Sequence, residues 1–272
     1  MLRGNYSARI DDKGRLKIPN AFRTLVQEQH GPHLPLGADS FNAVGIAERV
    51  SARTGVVIAP PLYYGSHPYF HYGYVGTLPI RQTVQIELVR DIVKSLVNSG
   101  CNKIIIVNAH GQWWSLNTAI QEIALEVNAF MAVATWQEIA NPTIKKVLET
   151  PPRHADESET ALALALYPEK VDMSKAQKEG LVANISPEFN KVGTHGDLTA
   201  PFCLEGITAF PQESKAMEYG IAGDATLATR EKGEAVVEAA VDVLVRLIED
   251  LRSRYKVGEV PPIKPELKVD MY

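Results

Sequence analysis

Residues 103–114 read KIIIVNAHGQWW. Between Lys103 and Asn108 stand four consecutive aliphatic β-branched residues, without the polar alternation of a half-solvated strand. Such a run predicts a strand covered on both faces. The chain then passes through Ala109, His110 and Gly111 into a pattern at 115–127 that suits a helix. Downstream, FMAVAT at 130–135 reads as a second buried strand, 137–148 as a helix and 231–254 as a long amphipathic helix. Upstream, 41–53 has helical spacing, and 56–59 reads as a short strand closed by Pro60 and Pro61. Residues 83–98 form the clearest amphipathic pattern, with Val84, Leu88, Ile92 and Leu96 on one face and Gly100 as the stop. The alternation of strand and helix predicts an α/β fold whose central, mostly parallel sheet carries helices on both faces. Sheets of this kind place their chemistry at the carboxyl ends of strands. His110 falls there.

The totals narrow the classes of function. The chain has 272 residues, 45% hydrophobic and 22% charged, which is ordinary globular composition and long enough for a substantial core. A net charge of −4 gives no bulk electrostatic case for nucleic acid or an anionic membrane. Cys101 and Cys203 are far apart and no C-x-x-C occurs, so neither a disulfide framework nor a zinc knuckle is expected. No apolar run approaches the ~18 residues of a spanning helix, and the first residues lack the apolar core of a signal peptide. A cytoplasmic protein is the expectation.

Three polar clusters fall at strand ends or in loops. In EQHGPHLPLGAD, 28–39, Glu28 and His30 sit two apart, so an extended backbone points both to one side. Asp39 follows at the start of a helix, where a carboxylate can bridge two cations. The second cluster is His110, and the third is HADESET, 154–160. Read singly, each has a plainer meaning. A histidine after a strand is more often a hydrogen-bonded structural residue, and acids before a helix are favoured by its dipole. Together they offer the imidazoles and carboxylates that suit zinc, manganese or similar ions.

The motifs EQHGPHLPLGAD, APPLYYGSHP, GTLPI, IIIVNAHG, HADESET and GIAGDATLATREKG occur in the order of those of the creatininase family, which the chain resembles over roughly residues 27–255. The resemblance implies a three-layer α/β/α domain with two divalent metal ions, zinc or manganese. It implies a small-molecule substrate and a homo-oligomer, hexameric in most members. It also implies hydrolysis of a C–N bond in a cyclic or formyl amide; some relatives cleave a peptide bond, and one group opens a carbocyclic, inosose-type keto-polyol at a C–C bond. Carried over by motif, Glu28 and His110 would ligate one ion, His30 the other, and Asp39 both. His154 would be the catalytic proton shuttle. Where creatininase has a glutamate ligand, this chain has Gln112, which disfavours creatinine itself and makes Glu159 the candidate to complete the second metal. Trp113, Trp114, Tyr64, His67 and His71 are expected, with Gln112, to line the substrate pocket. A subunit interface is an equal reading of the aromatics.

Residues 1–26 depart from that family. They resemble the N-terminal hairpin of MraZ-type transcription regulators, through Arg3-Gly4, Tyr6, Asp12-Lys13-Gly14-Arg15-Leu16, Ile18-Pro19 and Phe22-Arg23. Strand, turn and strand are the physical reading, with Gly14 at the turn. Three roles stay open: an oligomerisation or edge-capping hairpin, a DNA-contacting arm bearing Arg3, Arg9, Lys13, Arg15, Lys17 and Arg23, or a chimeric start. The DNA arm keeps a regulator with a creatininase-like sensor domain as the alternative to an enzyme. Residues 21–26, AFRTLV, would then have to serve as the first core strand, and 256–272 would be an extended tail.

Overall fold

The computed structural model describes residues 28–67, 71–74, 76–111, 113–180 and 217–262, with short strands at 9–10, 16–17, 182–183 and 213–214. Its centre is the strand read from the sequence. β3 (Lys103–Asn108) runs parallel to β4 (Phe130–Thr135), in register from Lys103 opposite Phe130 to Asn108 opposite Thr135. A parallel pair needs a crossover, and α3 (Trp113–Ile123) provides it.

The unbroken apolar run is explained by what covers the two faces. Ile105 and Val107 pack into a core containing Ile46, Trp136, Ile144, Val237 and Leu244. Ile104 and Ile106 pack oppositely, against Val89, Val93, Leu116 and Ile123. The first core joins α1 (Ala38–Thr54), α6 (Glu157–Leu166) and α7 (Arg230–Arg254); the second joins α2 (Gln82–Asn98) and α3. The period-2 geometry of one strand thus sorts its side chains between two helical layers, giving the α/β/α order.

Three details differ from expectation. The sequence predicts one helix at 137–148, but the chain forms α4 (Trp136–Ile139) and α5 (Asn141–Val147), parted at Ala140. Pro142 lacks an N–H and its ring crowds the carbonyl four residues back, so the first helix cannot run through it. Residues 56–59 form no strand, and Val57 is 93% exposed. On α2 the buried positions are Gln85, Val89 and Val93, while Val84 and Leu88 are more than a third exposed. The stripe is turned by one residue because Gln85 is held inward: its Oε1 accepts from Ser66 Oγ at 2.7 Å and Ser115 Oγ at 2.8 Å.

The second half of α6, residues 161–166, is apolar on every side and largely buried, with Ala161, Leu162 and Ala163 inaccessible. Its alanines let α7 approach closely. At Gly233 a Cβ would lie 1.9 Å from the carbonyl oxygen of Ala161, a backbone atom that cannot move aside. Gly233→Ala is therefore expected to destabilise the fold by about 1–3 kcal/mol, read as a lower urea midpoint at unchanged slope.

β1 (Arg9–Ile10) pairs antiparallel with β2 (Leu16–Lys17). The rest of the 1–26 segment, including Arg3, Lys13, Arg15, Arg23 and the 21–26 stretch, lies outside the described residues, as do Gln112, Cys203 and 263–272. β5 (Lys178–Glu179) pairs with β8 (Gly223–Asp224), and β6 (Val182–Ala183) with β7 (Glu213–Ser214), both antiparallel. No helix among the described residues is long and apolar enough to cross a membrane.

Candidate metal centre

Four segments meet at the carboxyl end of β3. Residues 28–33 enter from before α1, turning at Gly31, whose φ of +69° is left-handed. A Cβ there would lie 2.7 Å from His33 Nδ1 and 2.8 Å from Ile221 Cγ1. The turn buries Glu28, His30 and His33 almost completely. His33 faces away, with its Nε2 2.8 Å from Thr160 Oγ1, and burial lowers its pKa to about 4.

Asp39, in the first turn of α1, stands between two imidazoles. Its Oδ1 is 3.0 Å from His30 Nε2 and its Oδ2 is 2.9 Å from His110 Nδ1. Burial alone would raise its pKa, but those two rings hold it far below the carboxylate range. His30 is likewise pulled two ways: burial lowers its pKa, and Asp39 and Glu159 bring it above the ordinary value.

His110 is oriented by the strand end. Asn108 Oδ1 accepts from the His110 N–H at 3.3 Å, and Asn108 Nδ2 donates to the His110 carbonyl at 2.8 Å. The ring then presents Nδ1 to Glu28 Oε2 at 2.8 Å as well as to Asp39. Its Nε2 lies 3.0 Å from the Ser66 carbonyl and 2.9 Å from His67 Nδ1.

The HADESET acids divide by role. Asp156 is the N-cap of α6: its Oδ1 accepts from the N–H groups of Ser158 and Glu159, and its Oδ2 from that of Arg153. Glu157 accepts from the backbone of Glu149 and Thr150 and pairs with Lys232 at 2.6 Å. Only Glu159 faces the centre, with Oε2 3.5 Å from His30 Nε2 and 3.9 Å from His154 Nδ1. The same oxygen accepts from Ala155 N–H at 2.6 Å. That bond supports a strained backbone: Ala155 has φ +50°, which costs a non-glycine residue about 1–3 kcal/mol. Burial, added to the charges of Asp39 and Asp156 and opposed by His30, pushes the Glu159 pKa up to about 8. His154 donates from Nε2 to the Gln29 carbonyl at 2.8 Å, and burial keeps its pKa well below the usual imidazole value. That tautomer makes Nδ1 its basic nitrogen.

His67 and His71, expected in the substrate pocket, lie inside the polar centre. Glu28, His67, His71 and His110 form one group whose donor atoms are within 4.8 Å of one another; His30, Asp39 and Glu159 form a second; Glu28, His30 and His154 form a third. The H-x3-H spacing of His67 and His71 was the signal available in the sequence. Trp113 and Trp114 open α3 and pack edge to face, centroids 5.4 Å apart, and Tyr64 is half exposed. A cavity of about 330 Å3 reaches the centre at Asp39 and His110, then runs along β3 between aliphatic side chains.

The donor set fits cations. One imidazole Nδ1 carries at most one proton, yet Glu28 and Asp39 both approach the same nitrogen of His110. Glu28 Oε1 and Oε2 and Asp39 Oδ2 are fully buried against imidazole nitrogens, and His67 Nε2 is buried without a hydrogen bond. Buried carboxylates that crowd the same rings are costly unless a cation meets them.

The family model described as creatininase, creatinine amidohydrolase, matches residues 26–248. The 3-dehydro-scyllo-inosose hydrolase of Thermotoga maritima is 34% identical over 246 residues, 86% of this chain and 78% of its own. The creatinine amidohydrolase of Pseudomonas putida is 24% identical over 82% of this chain and 85% of its own. Solved structures of creatininase with manganese, and of a mutant creatininase of Zn–Zn type, share the fold at TM-score 0.65, with 22% and 23% identity over 82% of this chain and 86% of theirs. A 31-residue stretch, 11% of the chain, is 52% identical to the transcriptional regulator MraZ of Acidobacterium capsulatum, over 21% of that protein. With the family match spanning most of its length, the chain belongs to the creatininase family.

Proposed function

We propose that this chain is a binuclear metal-dependent hydrolase that opens a small ring at a carbonyl carbon. Its first substrate class is a cyclic keto-polyol of the inosose type, for which the 34% likeness to an inosose hydrolase is the support. The observation that carries the metal reading is Asp39, whose two oxygens face imidazoles from two different ligand groups. Zinc or manganese held there would polarise the carbonyl and acidify a water.

The protein's own groups divide the remaining work. Glu28 and His110 would hold one ion, His30 and Glu159 the other, and Asp39 both. Water adds to the ring carbonyl, the bond to the neighbouring atom breaks, and the carbonyl becomes a carboxylic acid. For a keto-polyol that atom is carbon, and a second carbonyl beside it stabilises the departing carbanion. His154 Nδ1, on the Glu159 side of the centre, takes a proton from the attacking water and delivers it to that carbon. In a cyclic amide the same proton would go to nitrogen, the second reading, which the family match supports. Incubating the zinc- or manganese-loaded protein with dehydro-inosose-type diketones and cyclic amides, with NMR detection of the acid, decides between them. Opening of the ketone is expected, and failure on both classes would overturn the proposal.

The raised pKa of Glu159 gives a pH dependence. Below about 8 this group holds a proton that a cation must displace, so affinity falls as pH falls. Zinc affinity is expected to drop by at least roughly tenfold per pH unit from pH 8 to 6. Competition titrations with a chelator check this, and a flat profile contradicts it.

We further propose a chain divided into segment 1–26, a hydrolase domain at 27–255 and a tail at 256–272, acting in the cytoplasm as a homo-oligomer. The exposed Val57, Val84 and Leu88 support association. The DNA-binding alternative rests on the short MraZ likeness alone.

A further inference from the structure

We infer that His67 and His71 are metal ligands rather than substrate contacts, and that they make the two halves of the centre chemically unequal. This rests on the binuclear reading above and adds two residues to it. Three imidazoles, His67, His71 and His110, surround the Glu28 carboxylate, with all four donor atoms within 4.8 Å of one another. The other half offers one imidazole, His30, with the carboxylates of Asp39 and Glu159. Imidazole favours zinc, and carboxylate oxygen suits manganese or magnesium, so the first half is the zinc-selective one.

Several observations point to ligation by His67. It is 5% exposed, and its Nδ1 lies 3.5 Å from Glu28 Oε2 and 2.9 Å from His110 Nε2. Its Nε2 is buried without a hydrogen bond. His71 Nδ1 is in direct contact with Glu28 Oε1. A substrate-lining histidine would turn a nitrogen to the cavity, yet neither ring lines the cavity that meets the centre. The segment carrying His67 is also braced. Ser66 donates to Gln85, which takes a second bond from Ser115, and the Ser66 carbonyl lies 3.0 Å from His110 Nε2. This bracing explains why a glutamine occupies the buried stripe of α2. It fixes a backbone position that a mobile pocket wall would not need.

X-ray absorption at the zinc edge of the wild-type protein counts imidazoles directly. With His30, His67, His71 and His110 shared by two ions, the mean is two imidazoles per zinc. If His67 and His71 only line the pocket, the mean is one. His67→Ala and His67→Gln, checked for folding by circular dichroism of the apoprotein, are expected to weaken one of two zinc affinities at least about tenfold. His30→Ala should weaken the other. A mean of one imidazole per zinc, or unchanged affinities in both His67 variants with only KM altered, overturns the inference while leaving the binuclear reading intact. Wild-type protein that holds fewer than two ions overturns both.

Discussion

Asp39→Asn is expected to cost this protein both of its metal ions and nearly all of its activity. The substitution keeps the shape of the side chain, so packing in the first turn of α1 is preserved. What it removes is a charge that faces His30 through one oxygen and His110 through the other. These rings belong to different ligand groups, so each group loses a negative charge that faces one of its imidazoles. Asp39 is 3% exposed, and deleting one partner of a buried charged pair typically costs about 3–5 kcal/mol. That corresponds to about 10²–10⁴-fold in affinity, enough to empty both halves at micromolar metal. Plasma emission analysis after gel filtration checks the stoichiometry. A variant that keeps two ions and wild-type turnover would remove Asp39 from the bridging position.

His154→Ala should behave differently. Its ring is anchored by donation to the Gln29 carbonyl and stacks near His30 and His71, centroids 4.3 and 4.1 Å away. A proton donor contributes about 10²–10⁴-fold. The expected result is a fall of that size in kcat with both ions retained and KM little changed. Loss of metal together with activity would instead mark His154 as a ligand.

The contrast between these variants shows which parts of the site could be read from sequence. Glu28, His30, Asp39 and His110 were singled out because each stands at a place the fold marks: beside a Gly-Pro turn, at a helix start, or past the end of a strand. β3 was legible because four β-branched residues in a row suit only a strand with two buried faces. The H-x3-H spacing of His67 and His71 was visible, but their place inside the centre was not legible. They sit among tyrosines in a segment with no periodicity, and side chains there are positioned by tertiary contacts, chiefly the Ser66–Gln85–Ser115 bonds. The same bonds account for the misread face of α2, since apolar spacing cannot signal that a glutamine belongs inside. In HADESET spacing alone left three acids equal, and only the family resemblance pointed to Glu159. The hydrogen-bond geometry gives the physical difference: the oxygens of Asp156 and Glu157 are taken by backbone N–H groups, while Glu159 faces His30. Pro142 was a visible signal for the break at Ala140, outweighed by the apolar spacing around it.

The most direct measurement of the central claim is a metal count tied to turnover. Protein purified without added metal, stripped with a chelator and titrated with zinc or manganese, should regain ring-opening activity in step with binding. Full activity is expected at two ions per chain. Undiminished activity in stripped protein holding well under one ion per chain would contradict the account.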